Sequence, residues 1–329
     1  MGPNVVDRFL ITGAQGFIGA WILKNLISEG VPVTVIDLDT NRRRLRQIAT
    51  EAEIEQVDFV RGDISDAPAV AGLVEERGIT HIIHLAGLQT PACQADPIAG
   101  ATVNVIGTLA VFEAARRFPE QVQRIVYASS IGVFGEIDAY QDAVRDDSRP
   151  TPVSHYSVFK LTNEGNARIY WRELQISSIG LRPLMVYGPG RDQGMTSAPT
   201  KAMKAAVVRR PFTIPFSGST DMLYVDDCAK AFTRCAHVPF QGAEVYNVSG
   251  ELVDIVDIVA RIEEILPEAQ GLIRVSGDPM PFYPVVDDTR LRALIGVDER
   301  TSLRAGVEQT ILHFQESQRA GQLDTSELD

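Results

Sequence analysis

Two residues four positions apart in HYSVFK, Tyr156 and Lys160, are where residue type and spacing in this 329-residue chain most plainly suggest chemistry. On a helix, residues i and i+4 lie one above the other, which sets an ammonium beside a phenol. A neighbouring cation favours phenolate and can lower an acid's pKa by roughly 1 to 3 units, bringing a tyrosine from ~10 toward working pH. The pair could therefore act as a general base. Eight tyrosines and five lysines give about 0.1 such spacings by chance, so the surroundings must carry the rest of the argument.

LITGAQGFIGAWILKNL places Gly13, Gly16 and Gly19 directly after an apolar run and across the start of a helical pattern. Gly13 suits a tight turn, Gly16 lets backbone approach a pyrophosphate, and Gly19 allows helix and strand to pack closely, with the helix N-terminus favouring the phosphates. TVIDLD ends the next strand pattern with Asp37, 24 residues after Gly13. A carboxylate there accepts hydrogen bonds from the adenosine ribose hydroxyls and repels a 2′-phosphate, which favours NAD over NADP. Arg42, Arg43 and Arg44 of NRRRLR pull the other way, because a nearby arginine can accommodate that phosphate.

The elements that must hold these residues alternate. RFLITG, VPVTVIDLD, VDFVRGD, ITHIIHLAG, VQRIVYASS and ISSIGLRP read as strands, and residues 17–29, 66–77, 95–117 and 155–174 carry helical periodicity. Strands separated by helical crossovers imply a doubly wound α/β fold with a parallel, Rossmann-type sheet. Residues 1–182 are assigned to a coenzyme-binding domain. From 183 to 329, Gly and Pro clusters surround helical pieces near 198–209, 226–237, 253–266 and 301–315, which predicts a smaller substrate-binding domain and a solvated tail, with some later segments returning to the first domain.

A net charge of −12 argues against nucleic-acid and anionic-membrane partners. No run of apolar residues reaches the ~18 needed to span a bilayer, and the N-terminus lacks a leader pattern, so a cytoplasmic protein is expected. The three cysteines, an odd number in a long chain, suit a reducing compartment. Cys228 and Cys235 read as small buried groups, His84 as a core histidine, and no metal site is expected.

With the glycine loop, YSVFK and YASSIGVFG, the chain resembles the extended short-chain dehydrogenase/reductase superfamily, in its NAD-dependent epimerase/dehydratase branch; GDI (62–64), HLAGLQ (84–89), NVIGT (104–108), RPLMVYGPG (182–190) and YVDD (224–227) extend the match over nearly the whole chain. The resemblance implies Tyr156 as acid/base, Lys160 as its pKa-lowering partner and ligand of the nicotinamide ribose, and Ser130 as hydrogen-bond partner of the reacting oxygen. It implies NAD contacts from Gly13, Gln15, Gly16, Phe17, Ile18, Asp37, Asp63, Ile64, Leu85, Ala86, Gly87 and Pro183. Asn104 reads as scaffold, and Asp226 or Asp227 as caps of a helix start. A homodimer through the helices near 95–117 and 155–174 is also implied.

Two departures narrow the substrate. Branch members acting on nucleotide sugars carry an Asn where this chain has Met185 and an Arg where it has Thr220, and a diphosphate favours such charge-assisted donors. Ile131 and Gly132 replace the Asp-Glu pair of dehydratases. The expected activity is NAD-dependent oxidation or reduction of a secondary alcohol or ketone in a small sugar, sugar acid or hydroxy acid. Gln89, Ser130, Met185, Arg191, Thr196 and Ser197 are the candidate substrate residues. An epimerase that retains its cofactor is the alternative.

Overall fold

The computed structural model describes residues 6–135, 140, 142–280, 285–297 and 299–328. Twelve strands are found among them: β1 (Phe9–Thr12), β2 (Val33–Asp37), β3 (Asp58–Arg61), β4 (His81–His84), β5 (Arg124–Ala128), β6 (Ser178–Pro183), β7 (Met185–Tyr187), β8 (Phe212–Ile214), β9 (Ser219–Tyr224), β10 (Ala243–Val248), β11 (Glu251–Asp254) and β12 (Ile273–Val275). Seven form one sheet in the order β10-β6-β5-β4-β1-β2-β3. Every pairing in it is parallel, with Phe9 opposite both Val33 and His81.

The strand residues explain the sheet's burial. β1 and β4 are buried along their whole length, while the edge strand β3 is exposed at both ends. Phe9, Ile11, Ile83, Val126 and Ile179 face one core, with the helices Phe17–Glu29 and Val225–His237 packed on it. Leu10, Ile36, Ile82 and Ile125 alternate onto the other, under Ala67–Arg77 and Gly107–Arg117. A parallel sheet covered on both faces needs apolar residues at consecutive positions, which these strands supply. The strand order reverses between β1 and β4, and that switch point opens a crevice at the carboxyl ends of the strands.

The remaining strands form a three-stranded sheet, β11-β9-β7, and a two-stranded one, β12-β8. β10 crosses back to the main sheet beside β6, in register from Ala243–Ser178 to Val248–Pro183. The solvated tail expected from the sequence is instead largely docked. The helix Leu303–Arg319 runs into it, Asp324 takes an ion pair from Arg43 at 2.6 Å, and Glu327 pairs with the buried Lys204.

The run Pro97–Arg117 is long and apolar enough by composition to cross a membrane, with half of its most apolar stretch buried in this fold. It is interrupted by a π-helical turn, Thr102–Ile106, which frees backbone groups for side-chain partners. The Asn104 carbonyl uses that freedom, accepting from Asn163 Nδ2 at 2.8 Å and Thr108 Oγ1 at 2.7 Å.

Candidate active site

One cleft of about 410 Å³ collects Gly13, Gln15, Gly16, Phe17, Ile18, Asp37, Ile64, Leu85, Ala86, Gly87, Gln89, Tyr156, Lys160, Pro183 and Arg191. Its floor is the glycine loop. Gly13 has φ +73°, and a Cβ on it would stand 2.7 Å from the Ala86 backbone nitrogen. A Cβ on Gly19 would stand 2.5 Å from the Gly13 carbonyl oxygen. The loop thus closes only with glycine at these two positions, and the helix Phe17–Glu29 has no acidic residue in its first turn to compete with a phosphate. The cradle fits the pyrophosphate of a dinucleotide.

Asp37 stands at the end of β2, where its carboxylate accepts from the backbone nitrogens of Gln15 at 3.0 Å and Asp39 at 3.1 Å. Burial pushes its pKa up and these two bonds pull it down. Two of the three arginines that could have served a 2′-phosphate are engaged elsewhere, while Arg42 lies beside Asp37 in a pocket with Phe59. Arg43 and Arg44 both pair with the buried Asp192, Arg44 also donates to the Gln15 carbonyl at 3.2 Å, and the Arg42 guanidinium lies 4.0 Å from the Phe59 ring centroid. The acid that disfavours NADP is therefore left without a competing free guanidinium from Arg43 or Arg44.

The helix His155–Leu174 starts at Ser154, whose hydroxyl accepts from the Ser157 nitrogen at 3.2 Å, and carries Tyr156 and Lys160 one turn apart. Lys160 is buried and donates to the Ala128 carbonyl at 2.7 Å, with its nitrogen 5.6 Å from the Tyr156 ring centroid. Burial lowers its pKa to about 8. Tyr156 is raised by burial, and its hydrogen bond to Ser130 and the charge of Arg191 oppose that rise. Lys160 thus lies beside the Tyr156 ring while its ammonium donates to the β5 carbonyl, and Arg191 adds a second positive charge in the same cleft.

Ser129 and Ser130 are separated in role by their partners. Ser129 Oγ donates to Glu164 Oε1 at 2.5 Å, whereas Ser130 meets Tyr156 and accepts from the Gly132 nitrogen at 3.1 Å. Glu164, four residues beyond Lys160 on the same helix face, also takes Arg182 in a buried fork at 2.8 and 2.6 Å. Sequence reasoning missed this pair; the available signal was the i, i+4, i+8 series Tyr156, Lys160, Glu164. Asn104 clamps the substrate-side loop, accepting from the Leu88 nitrogen at 2.8 Å and donating to the Leu88 carbonyl at 3.0 Å. That is the scaffold role expected of it.

Other expected site residues lie off the cleft wall. Met185 is buried in the small sheet, paired in register with Met222, and so packs in the core; Thr220 on β9 is fully buried, with no hydrogen-bond partner for its hydroxyl. Both positions at which the sequence departs from the pattern of the nucleotide-sugar members are therefore interior. Asp63 spends one carboxylate oxygen on the Ser65 nitrogen and hydroxyl, at 2.9 and 2.8 Å. Ser197 is buried and donates to the Gly194 carbonyl at 2.8 Å, shaping the loop that carries Arg191, and Thr196 accepts from Arg191 Nη2 at 2.8 Å. Asp226 and Asp227 sit in the first turn of their helix but do not cap it. Asp227 accepts from Thr301, and Asp226 pairs with Lys230 and Asn25.

His84 is buried between the hydroxyls of Thr12 at 2.7 Å and Thr108 at 2.9 Å, and burial lowers its pKa to about 3, as suits a neutral core histidine. Cys93, Cys228 and Cys235 are free and buried, and no cluster of metal-ligating side chains occurs among the described residues.

Comparison with known proteins agrees with this geometry. The chain is 29% identical over 322 residues to UDP-glucose 4-epimerase of Mycolicibacterium smegmatis, covering 93% of this chain and 98% of that one. The solved Thermus thermophilus UDP-glucose 4-epimerase in complex with NAD is 26% identical with a TM-score of 0.78, over 94% of this chain and 99% of that one. A partial-consensus L-threonine 3-dehydrogenase at 21% identity, with a TM-score of 0.82 over 94% of this chain and 99% of that one, shares the fold. The model of the family described as "NAD dependent epimerase/dehydratase family" matches residues 9–249, from the first strand through the return of β10, and the chain, an NAD-dependent enzyme of the short-chain dehydrogenase type, belongs to that family.

Proposed function

We propose that this enzyme interconverts a secondary alcohol and a ketone in a small polyhydroxylated or carboxylated substrate. The observation that supports the reading is that Tyr156 and Lys160 line the cleft, with Ser130 beside the Tyr156 phenol, while Met185 and Thr220 are buried in the small sheet. Bound NAD supplies the hydride acceptor for oxidation and, when reduced, the donor for the reverse. Tyr156 takes the carbinol proton at its phenolic oxygen, and Ser130 steadies the substrate oxygen as its charge changes. Gly13, Gly16 and the helix N-terminus hold the pyrophosphate, Asp37 the adenosine ribose and Lys160 the nicotinamide ribose, with Asp63, Ile64, Leu85, Ala86, Gly87 and Pro183 along the rest of the dinucleotide. Gln89, Arg191 and Thr196 bound the substrate end, and Ser197 supports them.

Steady-state NADH formation over a panel of sugars, sugar acids and hydroxy acids tests this; an enzyme that forms none with any of them is not this oxidoreductase. A sugar epimerase with retained coenzyme is the second reading, favoured by the relative named UDP-glucose 4-epimerase. In that case reduction follows oxidation on the same carbon and NADH does not accumulate.

We further propose that residues 1–182 with β10 form the coenzyme lobe and the rest mainly the substrate lobe. The three unpaired cysteines support action in the cytoplasm, and the net charge of −12 supports small molecules as partners in place of nucleic acid. The exposed apolar residues Ile98, Ile106, Val158 and Ile169 on the helices at 97–117 and 155–174 support a homodimer through those helices. Sedimentation at micromolar concentration should show a two-chain species; monomer alone removes the dimer.

A further inference from the structure

Arg191 is a cation in the cleft that, among the described residues, has no ion pair with an acid. Its Nη2 donates to Thr196 Oγ1 at 2.8 Å, and its Nε is buried with no hydrogen-bond partner. Asp192, the adjacent acid in sequence, is committed to Arg43 and Arg44, and among the described residues no carboxylate forms an ion pair with Arg191. Burial lowers the Arg191 pKa and the negative charge of Asp192 offsets only part of that, so an anion arriving at the guanidinium is favoured.

Its position restricts which anion. Gly194 brings Arg191 and Gln89 together: from the place of a Cβ on Gly194, Gln89 Oε1 is 3.1 Å away and Arg191 Nη2 is 3.4 Å away. Both residues line the same cleft as Tyr156. The anion that Arg191 receives therefore lies in the cleft that also holds Tyr156.

Resting on the oxidoreductase reading above, we propose that Arg191 receives the carboxylate of a hydroxy acid whose reacting carbinol lies at Tyr156, with the Gln89 amide beside the carboxylate. The planar fork of a guanidinium matches a carboxylate with two parallel N–H donors, and Thr196 holds the fork in place. The pair also sets the direction in which the substrate lies along the cleft. Neutral sugars and polyols leave the Arg191 guanidinium without a carboxylate partner, and are rejected for that reason. The competing source of negative charge is the coenzyme pyrophosphate, because the Arg191 guanidinium also lies over the Phe17 ring at 5.6 Å.

The test compares short hydroxy acids with their amides and with polyols of equal carbon number, on the full-length enzyme and on R191Q and R191K, with NAD affinity measured separately by titration. The wild-type enzyme should turn over an acid with kcat/KM at least about 30-fold above its amide, the loss expected when one partner of a buried charge pair is removed. R191Q should raise KM for the acid by a similar factor, R191K should recover part of it, and the NAD Kd should stay within about threefold in both. The acid-to-amide ratio on the wild-type enzyme needs no variant and so survives a folding failure of R191Q. An amide or polyol used as well as the acid overturns the carboxylate assignment while leaving the oxidoreductase reading in place. A rise in NAD Kd in R191Q that matches the rise in KM assigns Arg191 to the pyrophosphate and overturns it too. NADH from none of the compounds overturns the oxidoreductase reading itself.

Discussion

Replacing Tyr156 with phenylalanine should lower turnover by about 10² to 10⁴, the range contributed by a positioned acid/base, while NAD continues to bind. The ring stays in its place on the helix His155–Leu174, so Lys160 keeps its hydrogen bond to the Ala128 carbonyl and the glycine loop is untouched. Only the oxygen that meets Ser130 is removed. Measuring kcat and the NAD Kd together separates the two effects. A kcat within tenfold of wild type would mean that the proton goes elsewhere, and a lost Kd would mean that the phenol holds the coenzyme more than it serves the chemistry.

The largest expected loss of stability comes from Glu164→Ala. Glu164 is 1% exposed and Arg182 4% exposed, joined by two hydrogen bonds at 2.8 and 2.6 Å. Removing the acid leaves the guanidinium buried without its counter-charge, at a cost of about 3 to 5 kcal/mol. The Arg182 Nη1 bond to the Asp146 carbonyl at 2.9 Å remains and offsets only part of this. Replacing both partners with apolar residues of similar size should recover most of the loss, since the penalty lies in the orphaned charge. Urea denaturation of E164A and of the double variant E164L/R182M measures both, and a loss below about 1 kcal/mol in E164A would contradict the assignment. The pair also holds Ser129 at 2.5 Å, so it fixes the end of β5 from which Ser130 projects.

Much of the fold was legible because its signals are local. The strands of the main sheet are short runs rich in β-branched and apolar residues, and the helices at 17–29 and 155–174 end where the expected periodicity ends. The glycine loop and Asp37 were legible because the chemistry of a tight turn beside a phosphate leaves little choice of residue. What lay hidden depends on contacts between distant residues. That β10 rejoins the sheet beside β6, that Asp324 and Glu327 dock the tail, and that Asp192 occupies Arg43 and Arg44 are all pairings across 65 residues or more. Met185 could be recognised as a departure from a polar position, but only its place in the small sheet, in register with Met222, shows that it is buried in the core. Likewise the helical spacing of Tyr156 and Lys160 was readable, whereas the hydrogen bond of the Lys160 ammonium to Ala128 and the presence of Arg191 in the same cleft come from tertiary structure.

The most direct measurement is the number of NADH equivalents formed per enzyme when catalytic amounts of protein meet excess NAD and a panel of hydroxy acids, sugar acids and sugars. The account predicts NADH rising many-fold beyond the enzyme with at least one hydroxy acid. NADH that stops at about one equivalent, or never forms, would contradict it; a stop at one equivalent points to an epimerase holding its coenzyme.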